Sequence, residues 1–132
     1  MKILAEISVG ELYDKITILN IKLKKINDPN KLKNIKIELD ALIEQSNKLI
    51  LKEDEILKKN IQKLQDINEE LWDIENAKRE CEANKEFGEI FIKISRDVHF
   101  KNDIRASIKK EINLLSNSKI CLLYTSDAAD EA

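Results

Sequence analysis

The sequence predicts an all-α fold: an antiparallel helical bundle or helical-hairpin coiled coil of three to four long helices. Three observations carry this. Two glycines and one proline in 132 residues leave too few turn formers for a sandwich or barrel. Aromatic residues at 5% against charged residues at 36% suit long helices better than a broad mixed core. Apolar residues recur at alternating spacings of three and four along most of the chain, the period of a buried helical stripe.

Ser8-Val9-Gly10-Glu11 reads as a capping box that opens the first helix, Ser8 as N-cap and Glu11 reaching back to it. Ile7 and Leu12 stand where a hydrophobic staple places them. Gly10 falls in the first turn, where backbone amides lack helical partners and a glycine is tolerated. Leu12, Ile16, Leu19, Leu23 and Ile26 form an apolar seam, with Ile18 and Ile21 on the other face. A helix apolar on both sides lies between neighbours or in an oligomer, so a homodimer or a protein partner is expected. Met1–Ile7 is expected to be an extended lead-in packed along the bundle.

Asn27-Asp28-Pro29-Asn30 ends the first helix and opens the second, with Asp28 as cap and Pro29 at the first helical position. Leu32, Ile35, Leu39, Leu42, Ile43 and Leu49 carry its stripe. The stripe blurs around Leu51–Asp54, where a short break is expected, although without glycine or proline the helix could continue. Ile56, Leu57, Ile61, Leu64, Ile67, Leu71, Ile74 and Cys81 mark a longer third helix, and Ala83–Gly88 a turn. Phe87, Phe91, Ile94, Val98, Lys101, Arg105, Ile108, Ile112 and Leu115 mark a fourth, with a kink expected near Asn102. No internal repeat is present.

Domain organisation follows composition. Ile, Lys and Asn account for 53 of the 132 residues, all within Met1–Ile120, and for none of Cys121–Ala132. Residues 1–120 are expected to form a single helical domain. Cys121–Glu131 resembles one reading frame of a sequencing-library adapter, so 121–132 is expected to be an artefact rather than native tail. Removing Asp127, Asp130 and Glu131 leaves 22 acidic against 23 basic residues, and Cys81 as the lone cysteine of the body. No internal disulfide is then possible, which suits a reducing compartment. No apolar run approaches membrane-spanning length. Met1-Lys2-Ile3-Leu4-Ala5-Glu6 meets a carboxylate too early for a signal peptide. A cytoplasmic protein is expected.

The fourth helix breaks its own pattern. Lys101 and Arg105 occupy seam positions one turn apart, and a buried unpaired charge costs several kcal/mol. Three readings are open. The pair lines an anionic-ligand pocket with Asn102, Asp103 and Lys109; or it makes a buried ion pair with a carboxylate such as Asp14 or Asp73; or the helix ends near Phe100 and the pair faces water. Arg79, four residues after Glu75, reads first as half of a surface pair. Trp72 reads as an edge-of-core anchor or a stacking platform, and Lys15 as a partner of Glu11. Candidate ligand-contacting residues are Asp14, Lys15, Trp72, Asp73, Arg79, Lys101, Asn102, Asp103, Arg105 and Lys109.

Other chemistry finds no support. His99 is the single histidine, so no Glu-x-x-His pair or zinc site is expected, and no metal or cofactor. Two glycines cannot build a phosphate loop. Glu80 and Glu82 flank Cys81 and oppose thiolate formation. Lysines interleave with carboxylates on every helix, so no nucleic-acid face is expected.

Ile7-Ser8-Val9-Gly10-Glu11-Leu12-Tyr13-Asp14-Lys15-Ile16-Thr17-Ile18-Leu19, Leu71-Trp72-Asp73-Ile74-Glu75 and Asn102–Asn113 together resemble a small bacterial family known only as a domain of unknown function. The likeness spans nearly all of Met1–Ser118. It differs at His99-Phe100, where a tyrosine-type residue is expected, and at Ile104, where a basic one is. The resemblance implies a small helical protein, with a loose link to surface-polysaccharide genes. Two functions from different classes are expected: a helical protein-interaction module, or a bundle that binds or converts a small anionic metabolite.

Overall fold

The computed structural model describes residues 1–49 and 54–116. Its helices are α1 (Val9–Lys25), α2 (Pro29–Ser46), α3 (Glu55–Ala83) and α4 (Glu89–Leu115), with no strand among the described residues. The all-α bundle expected from composition and period is what forms. α2 ends at Ser46 and α3 begins at Glu55, so the second and third helices are separate elements. Most of the predicted break segment, and the adapter-like 121–132, lie outside the described residues.

Local chemistry sets the ends. Ser8 Oγ accepts the Glu11 amide at 3.1 Å, Asp28 Oδ1 the Asn30 amide at 3.0 Å, and Asp54 Oδ1 the Leu57 amide at 2.9 Å. Each satisfies a donor that the helix leaves without a partner. Lys22, Lys24 and Lys25 in the last turn of α1 oppose its negative end.

The turn after α3 carries a cost. The Glu86 amide donates to the Cys81 carbonyl at 2.8 Å and the Lys85 amide to the Glu82 carbonyl at 3.2 Å, the paired closure that usually places glycine at the left-handed position. Here Lys85 holds φ 55°. A side chain in that conformation costs about 1–2 kcal/mol, part of which glycine returns as unfolded-chain entropy. Lys85→Gly should therefore raise stability by about 0.5–1 kcal/mol. Urea unfolding checks it, and a loss of stability would count against a strained turn.

α1 sits at the centre and touches all three other helices, which explains its two apolar faces. Leu12, Ile16 and Leu19 join Ile35, Leu39, Leu57, Leu64, Ile67, Leu71 and Ile112 in the main core. Ile21, on the other face, is also buried. Most of the apolar surface that suggested an oligomer is thus covered within the chain, with Ile18 left half-buried.

α3 and α4 pack on each other most extensively, and at 29 and 27 residues against 17 for α1 they outrun it. At about 1.5 Å per residue the difference is about 15 Å or more. The main core takes nothing from α3 beyond Leu71. Further out, only Cys81 and Val98 are buried. The far half of the hairpin is therefore a two-helix arm.

Four expectations are corrected. Met1–Ile7 is exposed throughout, so it does not pack along the bundle, and Ile7 is too exposed to serve as a staple. α4 runs through Phe100 and Asn102 without interruption, which removes the reading of a helix ruptured near Phe100. Phe87 lies in the turn before α4, exposed, and meets only Phe91 edge-on at 5.3 Å between ring centroids.

Candidate functional site

The unusual feature of the bundle is a polar centre where α1, α3 and α4 meet. Asp14 on α1 is 1% exposed. Arg105 on α4 donates from Nε to Asp14 Oδ1 at 2.9 Å and from a terminal nitrogen to Oδ2, a two-point fork on one carboxylate. Lys109 on α4 is 4% exposed; its ammonium lies 3.4 Å from Asp14 Oδ2 and donates to Glu11 Oε2 at 2.7 Å. Asn68 on α3 donates to Asp14 Oδ1 at 3.0 Å and to Thr17 Oγ1 at 2.9 Å, and Thr17 in turn donates to the Asp14 carbonyl at 2.9 Å. No buried side-chain nitrogen or oxygen among the described residues is left without a partner, which is what lets such a network exist.

Of the three readings of Lys101 and Arg105, the ion pair with Asp14 is the one Arg105 makes. Lys101 goes elsewhere, 3.3 Å from Glu70 Oε2 at the bundle surface. Burial pushes the Asp14 carboxyl up, but the Arg105 hydrogen bond and charge, the Lys109 charge and the Asn68 amide outweigh it and hold it below the ordinary 3.8. Burial likewise works against the Arg105 charge, and the Asp14 bond and charge with help from Glu11 more than reverse it, leaving its pKa raised above that of a free guanidinium. Both groups are therefore charged at neutral pH.

Glu11 departs from its expected cap role. Its carboxylate is committed to Lys109, with Lys15 at 4.0 Å on its other oxygen, while Ser8 still caps the helix.

Above this centre lies a cleft of about 490 Å³. α1 supplies Glu11, Ile18 and Ile21; α3 supplies Asn68, Leu71, Trp72, Glu75 and Arg79; α4 supplies Asn102, Arg105 and Lys109. Its size suits a small molecule. Arg79 does not make the expected pair with Glu75. Its guanidinium meets no carboxylate within ion-pair distance among the described residues and instead donates to Asn76 Oδ1 at 2.8 Å.

Six of the ten candidate residues thus converge: Trp72, Arg79, Asn102, Arg105 and Lys109 on the cleft, and Asp14 bonded to Arg105 beneath it. Four do not. Lys15, Asp73 and Asp103 each follow a converging residue by one position, which on a helix turns the side chain by about 100°. Lys15 is held at the surface near Glu11, Asp73 lies 4.0 Å from Lys25, and Asp103 lies 3.8 Å from His99. Lys101, one turn before Arg105, reaches the exposed Glu70.

Glu11, Asn68 and Glu75 on the cleft, with Thr17 and Asn113 beneath, were not among the candidates. A signal existed for Asn68: it stands between Leu64 and Leu71 at seam spacing, as misplaced as Arg105. Among the described residues no group of three or more His, Cys, Asp or Glu is placed to hold a metal ion, and no helix is long and apolar enough to cross a membrane. No protein-family model, curated protein or solved structure matches the chain.

Proposed function

We propose that the chain binds a small anionic molecule in the cleft between α1, α3 and α4, within a reducing cytoplasm. The observation that carries this is Arg79. It lines the same cleft as Arg105, yet its guanidinium is held only by a neutral amide. A carboxylate or phosphate bound there would meet a planar fork of donors without displacing an existing ion pair. Trp72 offers an apolar wall for the body of the ligand, and Glu75 and Asn102 offer acceptors for its hydroxyl or amino groups. The Asp14–Arg105–Lys109 network fixes the floor in advance, which lowers the ordering cost of binding.

The test is a thermal-shift screen of carboxylates, phosphates and sugar phosphates, followed by titration calorimetry. A binder should raise Tm in proportion to the logarithm of its concentration. Arg79→Ala should weaken it about 10–100-fold while leaving the ligand-free Tm nearly unchanged, because Arg79 is exposed. No shift from any anion at millimolar concentration would sink the proposal. The interaction-module reading rests on a different surface, the outer side of α4, where Ile92, Phe100 and Ile104 are about half exposed.

A further inference from the structure

That outer side of α4 belongs to the stretch where the hairpin leaves the main core behind, and it carries exposed isoleucine and phenylalanine side chains among its charged ones. Ile92, Phe100 and Ile104 are about half exposed. Beside them lies a shallow hollow of about 500 Å³ lined by Phe91, Ile92, Ser95, Arg96, His99 and Phe100. Ile92, Ser95, Arg96 and His99 stand at i, i+3, i+4 and i+7, the four positions that form the receiving hole of a knobs-into-holes contact.

The sequence of this face is complementary to its own reverse. Around Val98, equidistant residues are Ile92 with Ile104, Lys93 with Asp103, Arg96 with Phe100, and Asp97 with His99. Each is a favourable match: apolar with apolar, cation with anion, guanidinium with aromatic ring, acid with imidazole. Within one chain Arg96 Cζ already lies 5.8 Å from the Phe100 ring centroid, inside the range for cation–π attraction. Ile92 with Ile104 and Lys93 with Asp103 stand too far apart along one helix to meet within a single chain.

We propose that two copies associate through this face, their α4 helices antiparallel about a two-fold axis level with Val98. Phe100 of each copy then enters the hollow of the other and stacks against its Arg96. Ile92 packs on Ile104 of the second copy, and Lys93 faces its Asp103. An isologous contact uses each pairing twice, which is what a self-complementary face supplies. The occupant is a second copy rather than another protein because the complementarity is internal to one sequence. The contact spans only about four turns of one helix in each copy, which places it among weak, concentration-dependent associations.

Sedimentation equilibrium of the full chain, from about 10 μM to 1 mM, reads the result. The expected outcome is a monomer–dimer equilibrium that Lys93→Glu weakens about tenfold and that Lys93→Glu with Asp103→Lys restores. Both positions are exposed, so circular dichroism should show the same fold in every variant. Phe100→Ala should abolish the dimer. A strict monomer at 1 mM overturns the proposal, and so does a dimer indifferent to Lys93→Glu or one that the charge swap fails to restore. Arg79→Ala, which tests the cleft, should leave the dimer unchanged, so the two proposals fail separately.

Discussion

Replacing Arg105 with leucine should lower stability by about 3 kcal/mol. The guanidinium makes two bonds to a carboxylate that is 1% exposed, and its loss leaves that charge under-compensated in a low-dielectric setting. The effect should sit at the lower end of the range for a broken buried pair, because Lys109 stays at 3.4 Å and Asn68 at 3.0 Å. In Tm the change should be roughly 10 °C. Asp14→Leu should cost as much or more, since it strands Lys109 and Arg105 together. The double variant should be less unstable than the sum of the two, with a coupling of about 2 kcal/mol or more. A higher Tm for Arg105→Leu would reverse the reading: the arginine would then be a burden kept for the ligand and not for the fold.

The same pair makes a statement about acid. Asp14 titrates below its ordinary 3.8 in the folded chain. A carboxyl of lowered native pKa contributes stability that is complete above the unfolded value and is lost as pH falls through the native one. Urea unfolding should therefore show part of the acid destabilisation falling below about pH 4, and Asp14→Asn should flatten the curve there. An unchanged slope in the variant would mean that other carboxylates carry the acid response.

Much of this fold was legible because it follows from short-range rules. The Ser8 and Asp28 caps, the Ala83–Gly88 turn and the stripes of α1 and α3 depend on neighbours within a few positions, and the sequence displays those directly. The candidate site was half legible for the same reason. Arg105 announced itself by occupying a seam position, and the seam rule offered Asp14 or Asp73 as its partner without choosing between them. The choice depends on how α1 and α4 cross, which no local pattern records. Angular position separates Asp14 from Lys15 and Trp72 from Asp73, and a list of polar neighbours in sequence blurs that difference of about 100°. The Asp54 cap escaped because charges, rather than a stripe, precede α3. Self-complementarity of the α4 face was visible in the residues all along, but nothing in the period of the helix said that this face would be left uncovered.

Gly10 is where local and long-range reasoning disagree most, and Gly10→Ala is the sharpest test of the helix crossing. Judged by propensity, alanine in the first turn of α1 should be neutral or mildly stabilising. The crossing says the opposite. A Cβ at residue 10 would lie 2.5 Å from the Lys109 carbonyl oxygen and 2.8 Å from Asn113 Oδ1. The Gly10 amide also donates to that Asn113 oxygen at 2.7 Å, and Asn113 is 0% exposed, so neither partner can swing out to water. Relief requires α1 and α4 to separate. That would lengthen the contacts of Asp14 and Glu11 on α1 with Arg105 and Lys109 on α4, which lie within two turns of the clash. Overpacking of this kind costs about 1–3 kcal/mol, and the loosened ion pairs add to it, so a loss of about 3 kcal/mol is expected. Adding Asn113→Ala removes one of the two clashing atoms but not the Lys109 backbone oxygen. The double variant should therefore not recover, whereas recovery would place the strain in the amide side chain alone. A stable Gly10→Ala would mean that the two helices do not approach closely here, and the geometry of the Asp14–Arg105–Lys109 centre would fall with it.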